Sequence, residues 1–315
     1  MAGTIGIVGA GSIVERYYLA ALRQSDYTSI LIYDIDSKRA SEIAKQFDLV
    51  SADLSTLITT ADIIIVATPP HTHFELVSQL LAPGKTIICE KPFVLSETQA
   101  KQLVQTADQL NARLLIAHIR RIFPGIQLAQ QYIQKHQSTL GKLMLVKLFE
   151  GARFNYQSYS GYVYNHPMGG VLADTGSHVL DSLLYVTGMD TGSLNCTVQF
   201  VERDKQEPSH EFMSAFQLNE IPVQLKLSRY EALSNKMTLQ YEHAIIEIPL
   251  GIKPSIRVTS AHATTMHSAA DSCITYFSQA FREELRMMLQ QPNEDRFNAS
   301  RFSNLSMLLE TLYNA

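Results

Sequence analysis

Between Thr4 and His118 the chain alternates short, wholly apolar runs with segments of helical spacing, and few folds accept that rhythm. The runs are "TIGIVG", "ILIYD", "DIIIVATP", "TIICE" and "RLLIAH"; between them lie "IVERYYLAALRQ", "SKRASEIAKQF", "FELVSQLLA" and "SETQAKQLVQTADQL". A strand that is apolar on both faces must be covered on both faces, and strands alternating with helices give βαβ units. The pattern therefore predicts an α/β Rossmann domain, a doubly wound parallel sheet, over residues 1–121. Punctuation agrees: "PG" at 83–84 ends a helix, Ser96 stands where an N-cap belongs, and Asn111 closes the helix before "RLLIAH".

Beyond residue 121 the rhythm changes. A helical "IQLAQQYIQKH" leads into "KLMLVKLFE", then "LADTGSHVLDSLLYVTG" reads as a helix stopped by glycine. The runs "LNCTVQFVE", "HEFMSAFQL", "IPVQLKLSRY", "NKMTLQYEH" and "AIIEIPL" follow with only short polar joints, as strands of a large, mostly antiparallel open sheet do. "TYFSQAFREELRMML" and "ASRFSNLSMLLETLY" close the chain as helices, so residues 122–315 are expected to form an α+β domain for substrate binding and oligomerisation.

Composition narrows the class of partner. With 315 residues, 46% hydrophobic and 18% charged, the chain can fill two ordinary cores, and a net charge of -4 offers nothing to nucleic acid or an anionic membrane. A small-molecule ligand is expected instead. The three cysteines, Cys89, Cys196 and Cys273, are too few and too scattered for a disulfide framework or a metal knuckle, which points to a reducing cytoplasm. No leader-like segment and no run of eighteen apolar residues occur, so neither secretion nor membrane insertion is expected.

The chemistry begins at "GIVGAGSIV". Gly9 and Gly11 lie between a strand and a helix, where glycine permits a tight turn and lets the amides of Gly11, Ser12 and Ile13 approach a pyrophosphate at the helix start. Roughly twenty residues on, Asp34 ends the next strand, as a group for the ribose hydroxyls must. An acid there repels a 2′-phosphate and favours NAD, while Ser37, Lys38 and Arg39 leave NADP possible. Val14 occupies the place of the usual third small residue, which predicts a slightly wider helix packing. "VATPPHTH" ends a further strand on the carboxyl edge of the sheet, where its prolines stiffen the backbone beneath a cofactor ring; Ala67, Thr68, Pro69 and His73 are the expected contacts there. His71 and His73 lack a third ligand nearby, and no metal is expected.

Taken in order, the glycine turn, "ATPP..H", "EKP" at 90–92, "AHIRRIFP" and "GGVLADTGSHVLD" resemble the glucose-fructose oxidoreductase, inositol dehydrogenase and rhizopine catabolism family (Gfo/Idh/MocA) over essentially the whole chain. The resemblance implies that Lys91, Asp174 and His178 converge on the nicotinamide, with Glu90 orienting Lys91 and touching the cofactor. The roles are chemically sensible. Removal of hydride from a carbinol carbon requires loss of the hydroxyl proton, which suits a histidine. A lysine beside a cationic nicotinamide donates a hydrogen bond to the developing oxygen charge or shares the proton. Asp174 and His178, four apart, share a helix face. Asp181 is read either as orienting His178 or the substrate, or as a plain helix-surface acid.

"GARFNYQSYSGYVYNHPMGG" is rich in hydrogen-bonding aromatic groups, as a sugar or polyol site requires, which marks Arg153, Tyr156, Tyr162 and Asn165; a plain loop or subunit contact is the alternative. Arg120 and Arg121 either meet an anionic substituent or form hinge ion pairs. The implied activity is an NAD(P)-dependent dehydrogenase or reductase acting on a ring hydroxyl or ketone of a sugar, cyclitol or nucleotide-sugar. Alternatives on the same fold are an NAD-dependent glycosidase using transient oxidation, a dinucleotide sensor, and a reductase of linear tetrapyrroles. The resemblance also implies a homodimer or homotetramer, for which the alternation in "FMSAFQL" and "VQLKL" offers a face.

Overall fold

The computed structural model describes residues 3–27, 29–153, 159, 161–166, 169–205, 208–269 and 272–315. Its contacts divide the chain into two compact units, and the first is discontinuous: residues 1–118 with 157–162 and 281–306.

The first unit is a six-stranded sheet of β1 (Ile5–Val8), β2 (Ile30–Tyr33), β3 (Val50–Ser51), β4 (Ile63–Val66), β5 (Thr86–Glu90) and β6 (Arg113–Ala117). All its pairings are parallel, in the order β3-β2-β1-β4-β5-β6. The chain thus reverses direction across the sheet after β3, and β1 and β4 meet at that switch, where open α/β sheets leave a crevice beyond the carboxyl ends of their strands. β1 is buried at every position and β4 at three of four, which is why no polar alternation marks them. The helices are α1 (Leu19–Leu22), α2 (Ser37–Phe47), α3 (Leu54–Thr60), α4 (His73–Leu80) and α5 (Glu97–Gln109). Asp36 caps α2 by accepting from the Lys38 and Arg39 amides; Ser96 occupies the N-cap of α5 with extended backbone but without a side-chain cap bond. Asn111 closes α5 at φ 49, as expected of its position.

Residues 281–306 return to this unit, so one boundary near residue 121 does not describe the packing. Phe281 stacks on Tyr17 at 5.4 Å and meets Tyr18 edge-on at 4.7 Å. Arg113 donates to the carbonyls of Met288 and Gln291, satisfying carbonyls left over at a helix end. The Ile116 amide donates to Phe297 O, and Ser306 Oγ to Val94 O.

The second unit is built on eight strands: β7 (Leu143–Gly151), β8 (Cys196–Arg203), β9 (Glu211–Leu218), β10 (Ile221–Ser228), β11 (Lys236–Tyr241), β12 (Ala244–Pro249), β13 (Ser255–Ser260) and β14 (Thr264–Ser268). Their order is β14-β13-β12-β11-β7-β10-β9-β8, with β7–β10 the parallel pair and the rest antiparallel. Its helices are α6 (Pro124–Leu140), which packs on β12 and β13, and α8 (Ser177–Thr187), which packs on α6; a single turn, α7 (Tyr162–Asn165), lies between them in sequence. The final helices are α9 (Phe277–Gln290) and α10 (Ser303–Asn314).

The inner strands of the sheet alternate between buried and open positions. Phe212, Phe216, Leu218, Val223, Leu225, Val146, Leu148, Met237, Leu239, Ile246 and Ile248 are buried on one face. Their neighbours on the other face are Met213 and Ile245 among Lys147, Lys226, Lys236, Glu247 and Arg257. The buried stripe of that alternation forms the core, while the open face mixes these charges with the exposed Phe200, Met213, Ile245 and Met266.

Candidate active site

In the first unit the site grows out of the turn after β1. Gly9 has φ +107, and a Cβ there would lie 2.6 Å from the carbonyl oxygen of Ala67 at the end of β4, so both backbone angle and space demand glycine. At Gly11 an added Cβ would meet no atom within 4 Å: the turn stands open on that side. Beyond it Ser12 and Ile13 are half-buried, and the following helix starts as a π turn, Val14–Tyr18, before continuing as α1. Val14 is fully buried on that wider turn, which is where its extra bulk falls.

Asp34 sits beside the glycine turn, held by main chain alone. The Ala10 amide donates to its Oδ2 at 2.6 Å and the Asp36 amide to its Oδ1 at 2.9 Å. Each oxygen keeps a lone pair, so the carboxylate is pre-aimed for a pair of vicinal hydroxyls. An open glycine turn beside a fixed carboxylate fits a dinucleotide's pyrophosphate and ribose.

The ends of β4 and β5 are tied by one histidine. His73 is fully buried, with Nε2 2.9 Å from Thr68 O and Nδ1 3.0 and 2.9 Å from the carbonyls of Pro92 and Phe93. Burial depresses its pKa, against the pull of the carbonyls. Carbonyls of both loops thus face the ring, whose neutral form donates from one nitrogen, and His73 ties the loop after β4 to the loop after β5. His71 stacks on Tyr162 at 5.7 Å, and Thr68 and Thr72 share a hydroxyl bond at 2.7 Å.

Glu90 accepts from Tyr18 Oη at 2.9 Å and from the Lys91 amide at 3.1 Å. Burial raises the Glu90 carboxyl pKa, opposed chiefly by the Lys91 charge. Tyr18 is raised well above the ordinary phenol range by burial, then by the charges of Glu90 and Glu284, so it stays a donor. Glu90 therefore fixes the backbone at Lys91, as expected of an orienting acid. Tyr18 behind it had no signature beyond an apolar helix position.

In the second unit Asp174 lies on another π turn, Leu172–Gly176, which runs into α8. α8 is buried nearly all round, and Asp174 and His178 are among the few polar positions left half-open. A buried arginine holds the acid: Arg229 Nη2 donates to Asp174 Oδ2 and to Gly169 O, each at 3.1 Å. Next to it His210 is stacked against Tyr230 at 5.4 Å and Tyr164 at 6.4 Å, with its pKa lowered by burial and then by Arg229. Neither Arg229 nor His210 was legible as a site residue, since only strand pairing brings them to the Asp174 turn.

Both arginines at the start of this unit are spent on ion pairs. Arg120 forks onto Glu150 at 2.6 and 2.7 Å. Arg121 chelates Asp181 at 2.6 to 3.1 Å and reaches Asp190 at 3.1 Å, all three fully buried or nearly so. Asp181 is thus buried rather than a surface acid, and it anchors Arg121. Arg153 and Asn165 are exposed, and Tyr156 lies outside the described residues. Tyr162 belongs to the first unit, as does Tyr159, whose ring faces the Arg39 guanidinium at 4.4 Å. Among the described residues no cluster of three or more His, Cys, Asp or Glu could hold a metal ion, and no helix is long and apolar enough to cross a membrane.

Residues 4–118 match the model of a family described as an oxidoreductase family with an NAD-binding Rossmann fold. Over those residues the chain is similar to the Gfo/Idh/MocA oxidoreductase family. Curated Gfo/Idh/MocA-like relatives include glucose-6-phosphate 3-dehydrogenase of Bacillus subtilis, 26% identical over 59% of this chain and 54% of its own length. The rhizopine catabolism protein MocA of Rhizobium meliloti is 26% identical over 59% of this chain and 57% of its own. The chain thus spans little more than half the length of these relatives. The fold of the entire chain is that of UDP-N-acetylglucosamine 3-dehydrogenase from Acidithiobacillus ferrooxidans, with TM-score 0.75, 18% identity, and coverage of 99% of this chain and 97% of the other.

Proposed function

We propose that the chain is an NAD(P)-dependent dehydrogenase or reductase acting on a ring hydroxyl or ketone of a sugar, cyclitol or nucleotide-sugar. The match of residues 4–118 to the oxidoreductase family model carries this reading, and it is supported by the Asp34 carboxylate poised beside an open glycine turn. Bound dinucleotide supplies the hydride acceptor or donor. On the protein's side, Gly9 to Ile13 hold the pyrophosphate, Asp34 the adenosine ribose, and Ala67 to Pro69 the far side of the cofactor. His178 takes the hydroxyl proton as the carbon loses hydride with its bonding pair, and returns it in the reverse direction. Lys91, its backbone fixed by Glu90, donates a hydrogen bond to the reacting oxygen; Asp174, fixed by Arg229, binds the substrate and orients His178. The glycosidase and sensor alternatives find no support among the relatives. A homodimer or homotetramer rests on the resemblance alone and a cytoplasmic location on the scattered cysteines; the open face of the second-unit sheet, part charged and part apolar, is the surface such an assembly would have to match.

The test is absorbance at 340 nm with NAD and NADP across polyols, aldoses, inositols, uronates and nucleotide-sugars, for wild type and Lys91→Ala. A wild-type signal reduced about a hundredfold or more in the variant is expected. A wild type that binds dinucleotide yet gives no signal, or a variant as active as wild type, would remove the assignment.

A further inference from the structure

The helix α2 that follows Asp34 carries Arg39, and its guanidinium is already engaged at the glycine turn. Nε donates to Ala10 O at 3.1 Å, the same residue whose amide holds Asp34. Nη2 is paired with Glu15 Oε2 at 2.5 Å, and the face of the guanidinium lies 4.4 Å from the Tyr159 ring. Glu15 is held in turn by Gln46 Nε2 at 3.5 Å. The side chains of Arg39 and Glu15 are only 12% and 33% exposed, so this charge pair is poorly screened by salt.

We propose that Glu15 is a specificity-determining residue: by occupying Arg39 it withholds a fixed cation beside the adenosine ribose and so turns the site against NADP. This rests on the dinucleotide-binding reading of the turn. A 2′-phosphate brings nearly two negative charges and needs a guanidinium fork. Here it meets two carboxylates, Asp34 and Glu15, against one arginine whose Nη2 edge is taken. Asp36 offers no relief, because its carboxylate is a third negative charge committed to the amides of Lys38 and Arg39. Lys38 is exposed and has no comparable anchor among these contacts. A ribose diol, being neutral, is indifferent to the Glu15 charge and needs only the Asp34 oxygens. Sequence alone marks Asp34 as the discriminating residue; the structure assigns part of that role to a glutamate on a different helix.

Binding is measured without substrate, from the change in NADH and NADPH fluorescence on titration with protein, which contains no tryptophan to interfere. For Glu15→Gln the ratio of the NADPH to the NADH dissociation constant is expected to fall about tenfold, as removal of one close like charge implies. In Glu15→Gln/Arg39→Met the ratio is expected to return to the wild-type value, because the released arginine is gone. An unchanged ratio in the single variant overturns the proposal. A lowered ratio that survives in the double variant overturns the role of Arg39, since Glu15 would then act by charge alone. A wild type that binds neither dinucleotide defeats the dinucleotide reading itself and the proposal with it, an outcome distinct from tight binding with an unmoved ratio. Thermal unfolding of each variant separates weak binding from misfolding.

Discussion

The two units fix their candidate site carboxylates by opposite means. Asp34 is held by two backbone amides, from Ala10 and Asp36, and needs no side chain of opposite charge. Asp174 is held by a buried guanidinium from Arg229, fifty-five positions away in the chain, and the helix behind it is anchored by a second buried arginine, Arg121. Main-chain donors come with the fold and carry no net charge. Buried arginines bring a charge whose removal from water costs several kcal/mol before any pairing offsets it. The first unit therefore gains a precise carboxylate from a local turn, whereas the second depends on ion pairs that form only once its strands and helices have assembled.

If that contrast is correct, the largest effect follows from breaking the second scheme. Arg121→Met should leave Asp181 and Asp190 facing each other in the core and cost about 3 to 5 kcal/mol of stability, read from urea unfolding by circular dichroism. A cost below about 1 kcal/mol would mean that burial has neutralised the acids and that the pair is no anchor. Arg121→Lys keeps the charge but loses the fork, and should fall between the two.

Next in size is a pair of glycines within the first scheme. Gly9→Ala must abandon φ +107 or press its Cβ on Ala67 O, and should lose about 2 kcal/mol or more together with dinucleotide binding. Gly11→Ala has open space for the methyl group, so its stability should stay within about 1 kcal/mol of wild type while NADH affinity drops about tenfold or more, because the methyl enters the proposed pyrophosphate cradle. Equal loss of stability in the two variants would show that Gly11 is structural and that the cradle is elsewhere.

The same contrast explains what could be read from the chain. Gly9, Gly84 and Asn111 announce themselves because a positive φ is a local demand, and Asp34 because its partners lie on neighbouring strand ends. The two-residue β3 and the short α3 escaped: β3 is exposed and too brief to show a period. The β13–β14 hairpin was also passed over, its last strand almost wholly exposed and without a buried stripe. Arg229, in "KLSRYE", reads as an ordinary charge after a strand until β10 and the Asp174 turn are brought together. The periodicity of "FREELRMML" requires one buried face, but only the contact of Phe281 with Tyr17 and Tyr18 tells which unit covers it.

His73 gives the smallest effect and the closest test, since it is a titratable side chain serving a scheme otherwise made of main chain. Neutral, it donates from one ring nitrogen only; protonated, it would donate to the carbonyls on both sides, but complete burial opposes that charge and holds its pKa below the ordinary histidine value. A histidine with a lowered folded-state pKa contributes stability that is present above its unfolded value, about 6.5, and is lost as pH falls through the folded value. Glu90, whose folded pKa is raised by burial, acts with the opposite sign: its contribution is present below the unfolded carboxyl value and lost as pH rises. Measuring unfolding free energy against pH for wild type and His73→Gln cancels the Glu90 slope, because only the histidine titration differs. The wild type should lose stability relative to the variant below about pH 6.5, by at most about 1.4 kcal/mol per pH unit. Parallel curves would show that His73 keeps its proton equilibrium on folding, and that the carbonyls of Thr68, Pro92 and Phe93 stabilise the imidazolium as strongly as burial opposes it. The loop beside Lys91 would then be held by a charge after all, and the first unit would resemble the second.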